Sequence, residues 1–333
     1  MTCHTSGLLV ILALGLFMPP FTSGAQSPAK LPRIGVLWQG DIPRYEQAFR
    51  QGLQEQGYIE GRTILVEYRV VGWHLKRASE LAAELVHLDV DLIFASTGPL
   101  AQAAQQAAQR VNRMIPIVFG PTIDPVGTEL VTGLARPDGN MTGLGLLDTE
   151  FRAKQLEILK EAFPHISRVA WLTSPPSFPG GWGLRALSVL EHAAQALGIE
   201  LVRLEVQGPD ALESVFNVVR AMDTEAIMVS MNPLFTAERR QIVDLVAKSR
   251  VPAIYGDVLF VEDGGLMAYG PSMADLYRRA AALVAKVLRG TNPADIPVEQ
   301  PMHLKLIINL KTAQALGLTL PPSFLFRADE VIK

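Results

Sequence analysis

The segment DLIFASTGP, at positions 91–99, decides the fold. Its short apolar run is typical of a buried parallel strand, and the Ser-Thr-Gly-Pro sequence that follows is typical of a helix start, where Pro is favoured. The segment EAIMVS, at positions 225–230, has the same order of acidic and apolar residues. The chain therefore carries two copies of one strand unit, and we expect them at equivalent points of two similar halves.

Short apolar runs alternate with longer amphipathic stretches on both sides of these segments. Pro116 lies 25 residues after Asp91, and Pro252 lies 27 residues after Glu225, so the spacing is similar in the two halves. Regular alternation of strands and helices predicts a parallel sheet covered by helices on both faces. The predicted fold class is α/β, with two similar doubly wound parallel-sheet lobes joined by a multi-strand hinge. The predicted strands lie at 34–38, 63–68, 91–95, 115–119, 168–173, 199–206, 225–230 and 251–256.

The predicted domain boundaries follow from this repeat. Residues 31–143 are expected to form an N-terminal lobe, and residues 144–270 a C-terminal lobe. Residues 271–333 remain after the second lobe is complete, and they are long enough to return across the junction and pack on both lobes. Several strands that cross between two lobes form a hinge and not a loose linker.

The composition fits a globular protein and excludes some partners. Hydrophobic residues make up 49% of the 333 residues and charged residues 19%, which is unlike a disordered chain. With 30 Lys and Arg against 33 Asp and Glu, the net charge is −3. This charge excludes a nucleic-acid binder that acts through a broad basic surface. The single cysteine, Cys3, excludes an intrachain disulfide and any metal site built from cysteines.

Residues 1–25 are predicted to be a secretory signal peptide. Residues 8–18, LLVILALGLFM, are uncharged, and small residues precede a cleavage point after Ala25. The apolar run is too short to span a bilayer core about 30 Å thick. No Lys or Arg precedes the run, and a short buried helix or a membrane anchor is the alternative. We expect a protein that is exported to the periplasm.

Candidate ligand-binding residues follow from the predicted sheet. Ligands of open parallel sheets sit beyond the carboxyl ends of the strands, where helix N-termini offer free N–H groups to carboxylates. Ser96, Thr97 and Gly98 form the best candidate site, because two hydroxyls and a glycine precede a helix. The alternative is an ordinary helix cap that uses one of the hydroxyls.

Other strand ends add further candidates. The Asp124 carboxylate could accept a hydrogen bond from an ammonium or hydroxyl group of the ligand, or it could cap a turn that begins at Pro125. Trp38 could stack on the ligand or could cap the core, and Tyr45 opens the helix that follows Trp38. The remaining candidates occupy equivalent strand-end positions of the two lobes, and they are Gly120, Pro121, Thr122, Ser174, Phe178, Asn232, Tyr255 and Asp257.

Enzyme signatures do not occur in the sequence. There is no G-x-S-x-G, no P-loop and no G-x-G-x-x-G after a strand. None of the six histidines forms the i, i+4 pair of a zinc-binding helix. We therefore expect no catalytic residues, no metal and no cofactor.

Motifs along the chain resemble those of the substrate-binding proteins of ABC transporters described as TrpX-like or ABC_sub_bind. They lie between about residue 33 and the C-terminus, so the resemblance covers nearly the whole predicted mature chain. The chain departs from the family pattern at residues 230–232, where Asn232 is kept and the acid that often precedes it is not. The motifs are FRQGL at 49–53, IPIVF at 115–119, DPVG at 124–127, RPDGNMTG at 136–143, NLKTA at 309–313 and RADEVI at 327–332.

The resemblance implies a periplasmic binding protein of type I fold, which holds a small ligand between two lobes and delivers it to a membrane permease that works with an ATPase. The implied ligand is an aromatic or branched amino acid, or a similar small carboxylate. We expect a monomer. A ligand sensor that serves a signalling receptor is the alternative, and an enzyme with its active site in the cleft is a further one.

Overall fold

The computed structural model describes residues 30–73, 75–146, 148–175 and 182–333. Residues Pro32–Lys333 form one compact unit. The predicted signal peptide lies outside the described residues and stays a prediction. No helix of the described part is long and apolar enough to cross a membrane.

Five strands that all pair in parallel form the sheet of the first lobe. The strand at its centre, Leu92–Ala95, is buried along its whole length, as its apolar run predicts. Its elements are β1 (Arg33–Gln39), α1 (Pro43–Glu55), β2 (Leu65–Val71), α2 (Ala78–His87), β3 (Leu92–Ala95), α3 (Gly98–Arg110), β4 (Ile117–Ile123) and β5 (Met141–Leu146). The strand order is β2-β1-β3-β4-β5.

Seven strands form the sheet of the second lobe. Its first part comprises α4 (Asp148–Ala162), β6 (Arg168–Thr173), α5 (Trp182–Ala196), β7 (Glu200–Glu205), α6 (Leu212–Ala221), β8 (Ala226–Val229), α7 (Pro233–Ala237), α8 (Arg239–Ser249), β9 (Ala253–Tyr255), α9 (Leu259–Glu262) and β10 (Met267–Pro271). Then follow α10 (Met273–Leu288), β11 (Leu304–Asn309), α11 (Leu310–Ala315), α12 (Pro322–Leu325) and β12 (Glu330–Ile332). The strand order is β12-β11-β10-β9-β8-β6-β7, and single 3-10 turns lie at Leu75–Arg77, Pro209–Ala211 and Pro293–Asp295.

The predicted α/β fold with two parallel-sheet lobes is confirmed. One pair departs from it, because β11 runs antiparallel to β10. The cause is the route of the chain: after β10 it enters the first lobe as α10, and it then returns to the second sheet from the side of the first lobe. A strand that comes back from that side must run opposite to the strand that left. The predicted boundaries at residues 143 and 270 stay predictions.

Helix α10 packs in the core of the first lobe. Its residues Tyr277, Ala281 and Val284 belong to the same buried cluster as Phe49 of α1 and Phe94 of β3. A second cluster covers the other face of this sheet, with α2 and α3 over it. The second lobe has two clusters of its own. The chain therefore passes between the lobes after β5, after β10 and before β11.

Helices α1 and α10 lie very close to each other at Gly52. A Cβ atom built at Gly52 would lie 2.4 Å from the carbonyl oxygen of Arg278 and 2.8 Å from the Cβ of Ala281. Both distances are shorter than contacts of real Cβ atoms, so any side chain at position 52 would push α10 away. Glycine is therefore needed here, although it is a poor helix former.

We expect Gly52→Ala to lower the free energy of unfolding by about 1–3 kcal/mol, since overpacking outweighs the gain in helix propensity. Urea unfolding followed by circular dichroism measures the change. Gln54→Ala, at an exposed position of the same helix, is the control and should shift the free energy by less than about 0.5 kcal/mol. Equal stability of the two variants would contradict the close approach of the helices.

Candidate functional site

A cavity of about 170 Å³ lies between the lobes at the carboxyl ends of both sheets. One water needs roughly 10–15 Å³ counted in the same way, so the cavity has room for a small organic molecule. The first lobe contributes Gln39, Ile42, Tyr45, Thr97, Gly98, Pro99, Pro121, Thr122, Ile123, Leu146, Met273 and Tyr277. The second lobe contributes Arg152, Trp171, Thr173, Ser174, Pro175, Leu187, Arg203, Ser230, Met231, Asn232, Pro233, Thr236 and Asp257.

The N-terminus of α3 forms part of the first-lobe wall. Thr97 precedes this helix with an extended backbone, and its side chain makes no capping hydrogen bond. The Thr97 hydroxyl instead donates to Oε1 of Gln39 at 3.0 Å. The N–H groups of Gly98 and Leu100, in the first turn, have no acceptor within the helix. Together with the positive end of the helix dipole, they suit a carboxylate.

Ser96 has a structural role at this wall. Its hydroxyl oxygen accepts the N–H of Gln39 at 2.9 Å, and its carbonyl oxygen accepts the hydroxyl of Tyr277 at 3.2 Å. Ser96 itself does not line the cavity. It joins the end of β3 to the end of β1 and to α10, and so holds Gln39 and Tyr277 in the wall.

Asp257, two residues after the end of β9, is the acidic group of the cavity wall. Its side chain is buried, with the residue 1% exposed. It accepts hydrogen bonds from the Thr236 hydroxyl at 3.0 Å, from the Leu259 N–H at 3.1 Å and from the Tyr45 hydroxyl. A carboxylate can accept about four hydrogen bonds, so Asp257 can accept one more from a ligand.

The electrostatics of this group follow from its burial. Burial raises the pKa of the Asp257 carboxyl above its usual value, while the three hydrogen bonds and the charge of Arg239 oppose that rise. Burial and the neighbouring Asp257 raise the pKa of the Tyr45 phenol well above its usual value. Tyr45 therefore stays protonated and serves as the donor of the bond between them.

Trp38 lies in the core and not in the cavity wall. It is 2% exposed and packs against Phe49, Phe94 and Tyr277, with ring centroids 5.0–6.2 Å apart. The expected stacking of Trp38 on a ligand is therefore corrected to the alternative, a core residue. The reason is the alternation of β1, which turns Trp38 towards the core and its neighbour Gln39 towards the cavity.

Three large side chains of the second-lobe wall were not predicted. The indole N–H of Trp171 donates to the Ser230 hydroxyl at 2.7 Å. The guanidinium carbons of Arg152 and Arg203 lie 5.4 Å and 6.0 Å from the Trp171 ring centroid. Trp171 and Arg203 are direct neighbours across β6 and β7, and Arg152 comes from α4. No sequence pattern brings these three residues together, because none of them lies at a strand end.

The structure brings several predicted residues to the cavity. Ser174 and Asn232 are joined there, since the Asn232 amide donates to the Ser174 hydroxyl at 2.7 Å and its oxygen caps α7 through the Leu234 N–H at 2.8 Å. Their contact with a ligand stays a prediction, as it does for the others. The predicted residues that line the cavity are Tyr45, Thr97, Gly98, Pro121, Thr122, Ser174, Asn232 and Asp257.

Other predicted residues lie elsewhere. Asp124 makes the turn, because it has a φ of 41° and its carboxylate accepts the Gly127 N–H at 2.9 Å. Tyr255 is buried and stacks on Phe260 at 4.5 Å. Gly120 and Ser96 are buried beside the wall without lining it, and Phe178 lies outside the described residues.

In the described part, no cluster of three or more His, Cys, Asp or Glu could hold a metal ion.

Two parallel-sheet lobes with a cavity at the carboxyl ends of their strands are the architecture of the type I periplasmic binding proteins. A model of the ABC transporter substrate binding protein family matches residues 42–332. The chain belongs to this family. Members of the family are substrate-binding proteins, which agrees with the absence of enzyme signatures from the sequence.

Individual relatives are similar over most of their length. The tyrosine-binding protein of Clostridioides difficile (strain R20291) is 26% identical over 299 residues, which is 87% of this chain and 82% of that protein. The ABC domain from Streptococcus pneumonia in complex with L-Trp is 25% identical, with a TM-score of 0.80, over 91% of this chain and 100% of that one. A conserved domain protein from Vibrio cholerae shares the fold at 24% identity, with a TM-score of 0.82 over the same shares of both chains.

We expect the stability of the protein to depend on pH through Asp257. The folded protein holds the Asp257 proton more tightly than the unfolded chain, so this group contributes stability below the usual pKa of 3.8. That contribution is lost as the pH rises through the higher pKa of the folded protein. Asp257→Asn cannot ionise, so its stability relative to the natural chain should increase from pH 4 to pH 7. Urea unfolding of both proteins at both pH values measures this, and a difference that is independent of pH would contradict it.

Proposed function

We propose that this protein is the ligand-binding component of an ABC-type uptake transporter and that it binds an aromatic or branched amino acid between its lobes. One observation carries the proposal: the uncapped N-terminus of α3 and the buried carboxylate of Asp257 line the same cavity from opposite lobes. The first suits a carboxylate and the second suits an ammonium group. An α-amino acid carries both.

The carboxylate end would bind at the first lobe. The N–H groups of Gly98 and Leu100 provide donors, and the Gln39 side chain, held by the Thr97 hydroxyl, stands beside them. Hydrogen bonds from backbone N–H groups to a carboxylate are charge-assisted and are therefore stronger than neutral ones.

The ammonium end would bind at the second lobe. Asp257 retains one acceptor position, and the hydroxyls of Thr236 and Tyr45 keep its carboxylate in place. A charged partner inside the cavity would offset the cost of burying an ionised carboxylate. The ligand touches both lobes only when they are closed, so it would stabilise the closed state.

The remaining wall suits a large apolar side chain. Ile42, Leu146, Trp171, Met231 and Tyr277 contribute apolar and aromatic surface to the cavity. The relatives described as a tyrosine-binding protein and as a complex with L-Trp support an aromatic ligand. We place the protein in the periplasm, where it would serve a membrane permease and its ATPase, in keeping with its family. We also expect it to be a monomer.

A binding screen tests the ligand class. We expect one or more of L-Trp, L-Tyr, L-Phe, L-Leu and L-Ile to raise the melting temperature of the protein in a thermal-shift assay. A ligand present at about 100 times its Kd adds roughly 2.7 kcal/mol to the stability, which is easily detected. Isothermal titration calorimetry then gives the affinity and a stoichiometry of one. D-enantiomers are the matched controls, because they cannot place carboxylate, ammonium and side chain together. If none of the five amino acids binds, the proposed ligand class is wrong.

A second experiment tests the role of Asp257. Asp257→Asn should lower the affinity for L-Phe by about tenfold or more, since hydrogen bonds to charged groups contribute roughly 1.5–3 kcal/mol. The same substitution should change the affinity for 3-phenylpropionate, which lacks the ammonium group, much less. Calorimetry with both compounds measures the two changes.

The matched control for this experiment is Asp210→Asn, at an exposed position of the second lobe outside the cavity. It should leave both affinities unchanged. Equal losses for L-Phe and 3-phenylpropionate in Asp257→Asn would mean that Asp257 does not bind the ammonium group.

A further inference from the structure

The two lobes also touch each other directly, through groups at the start of α1 and around α9. The hydroxyl of Tyr45 donates to the carboxylate of Asp257, and Nη1 of Arg44 lies 2.7 Å from Oε2 of Glu262. Arg44 and Tyr45 belong to the first lobe, whereas Asp257 and Glu262 belong to the second. We refer to these four residues as the α1–α9 seam.

Apolar contacts continue this seam. Leu259, the first residue of α9, and Met231, after β8, belong to the buried cluster that contains Ile42 and Tyr45 of the first lobe. Trp73, which follows β2, packs against the core of the second lobe. The two lobes are therefore joined by direct contacts between their own side chains.

The bond between Tyr45 and Asp257 is the buried part of the seam. Both residues are almost fully buried, and the ring of Tyr45 stacks on Tyr277 at a centroid distance of 5.2 Å. Of the three donors to Asp257, Thr236 and Leu259 come from its own lobe, and Tyr45 alone comes from the other. Separation of the lobes would break this one bond and leave the other two intact.

The consequence concerns how affinity is set. The apparent affinity of a ligand is reduced by the fraction of protein that is not in the binding-competent state. A contact that stabilises the closed state without touching the ligand therefore changes the affinity for every ligand by the same factor. A residue that contacts the ligand changes the affinities for different ligands by different factors.

We propose that Tyr45 is a closure latch, whose hydrogen bond to Asp257 sets the fraction of closed protein and, through it, the affinity for all ligands alike. Tyr45 lines the cavity, but its hydroxyl is given to Asp257 of the other lobe, so in this role it is a positioning residue and not a determinant of which ligand is bound. The outer pair, Arg44 and Glu262, acts in the same direction but weakly, because both side chains are about half exposed.

Three variants of the full chain test the latch. Tyr45→Phe removes the hydroxyl and keeps the ring on Tyr277, and Arg44→Ala removes the outer pair. Arg278→Ala is the matched control, because its partner Glu55 lies in the first lobe as Arg278 does, so this exposed ion pair does not cross between the lobes. Small-angle X-ray scattering gives the radius of gyration of each protein without ligand. Calorimetry and stopped-flow fluorescence give the affinities and dissociation rates for L-Trp, L-Tyr, L-Phe, L-Leu and 3-phenylpropionate, which lacks the ammonium group proposed to bind Asp257.

We expect Tyr45→Phe to have a larger radius of gyration than the natural chain, and to bind every ligand that the natural chain binds about tenfold more weakly, through faster dissociation. Arg44→Ala should show the same pattern with a loss of about twofold. Arg278→Ala should match the natural chain in both measurements.

Two results would overturn the latch: an unchanged radius of gyration in Tyr45→Phe, or a loss of affinity that differs strongly among the ligands. The affinity measurements rest on the proposed function, whereas the scattering measurements do not. If the natural chain binds none of these compounds, the radius of gyration of Tyr45→Phe alone decides on the latch, and the screen of five amino acids decides on the ligand class.

Discussion

The packing of α10 against α1 is the contact on which the cavity depends. The two helices touch where Gly52 meets the Arg278 carbonyl, and this contact brings Tyr277 into the first lobe although it follows the second sheet in the chain. Tyr277 then supports the ring of Tyr45 and donates to the carbonyl of Ser96. The cavity wall of the first lobe thus combines residues 39–146 with Met273 and Tyr277 of α10, which the contact at Gly52 helps to hold in place.

Much of the fold and part of the site could be predicted from the sequence. Apolar runs predict the strands β1 to β4 and β6 to β9, and the rule that ligands bind at carboxyl ends of parallel strands indicates Thr97, Asn232 and Asp257. The rule does not say which of two adjacent residues at a strand end faces the cavity. It therefore indicates Trp38 as a ligand-binding residue, although its neighbour Gln39 is the one that lines the wall. It also cannot find Trp171 and Arg203, since their contact arises from pairing of β6 with β7 and not from a local pattern.

The motifs behind the family resemblance describe the fold more than the ligand. Asp124 in the DPVG motif holds its own turn, and Asp138 in the RPDGN motif has a φ of 57° and accepts the Thr132 hydroxyl at 2.6 Å. Both lie in the connection between β4 and β5, outside the cavity. The charged and aromatic side chains that give the second-lobe wall its chemistry stand outside these motifs. Relatives can therefore share the motifs and still differ in what they bind.

The late position of α10 in the chain has a consequence for biosynthesis. The sheet of the first lobe is complete at Leu146, but the helix that covers one of its faces ends at Leu288. A nascent chain must therefore emerge as far as Leu288 before that face of the sheet can bury all of its apolar surface. Until then, part of the apolar surface of that face stays exposed to water.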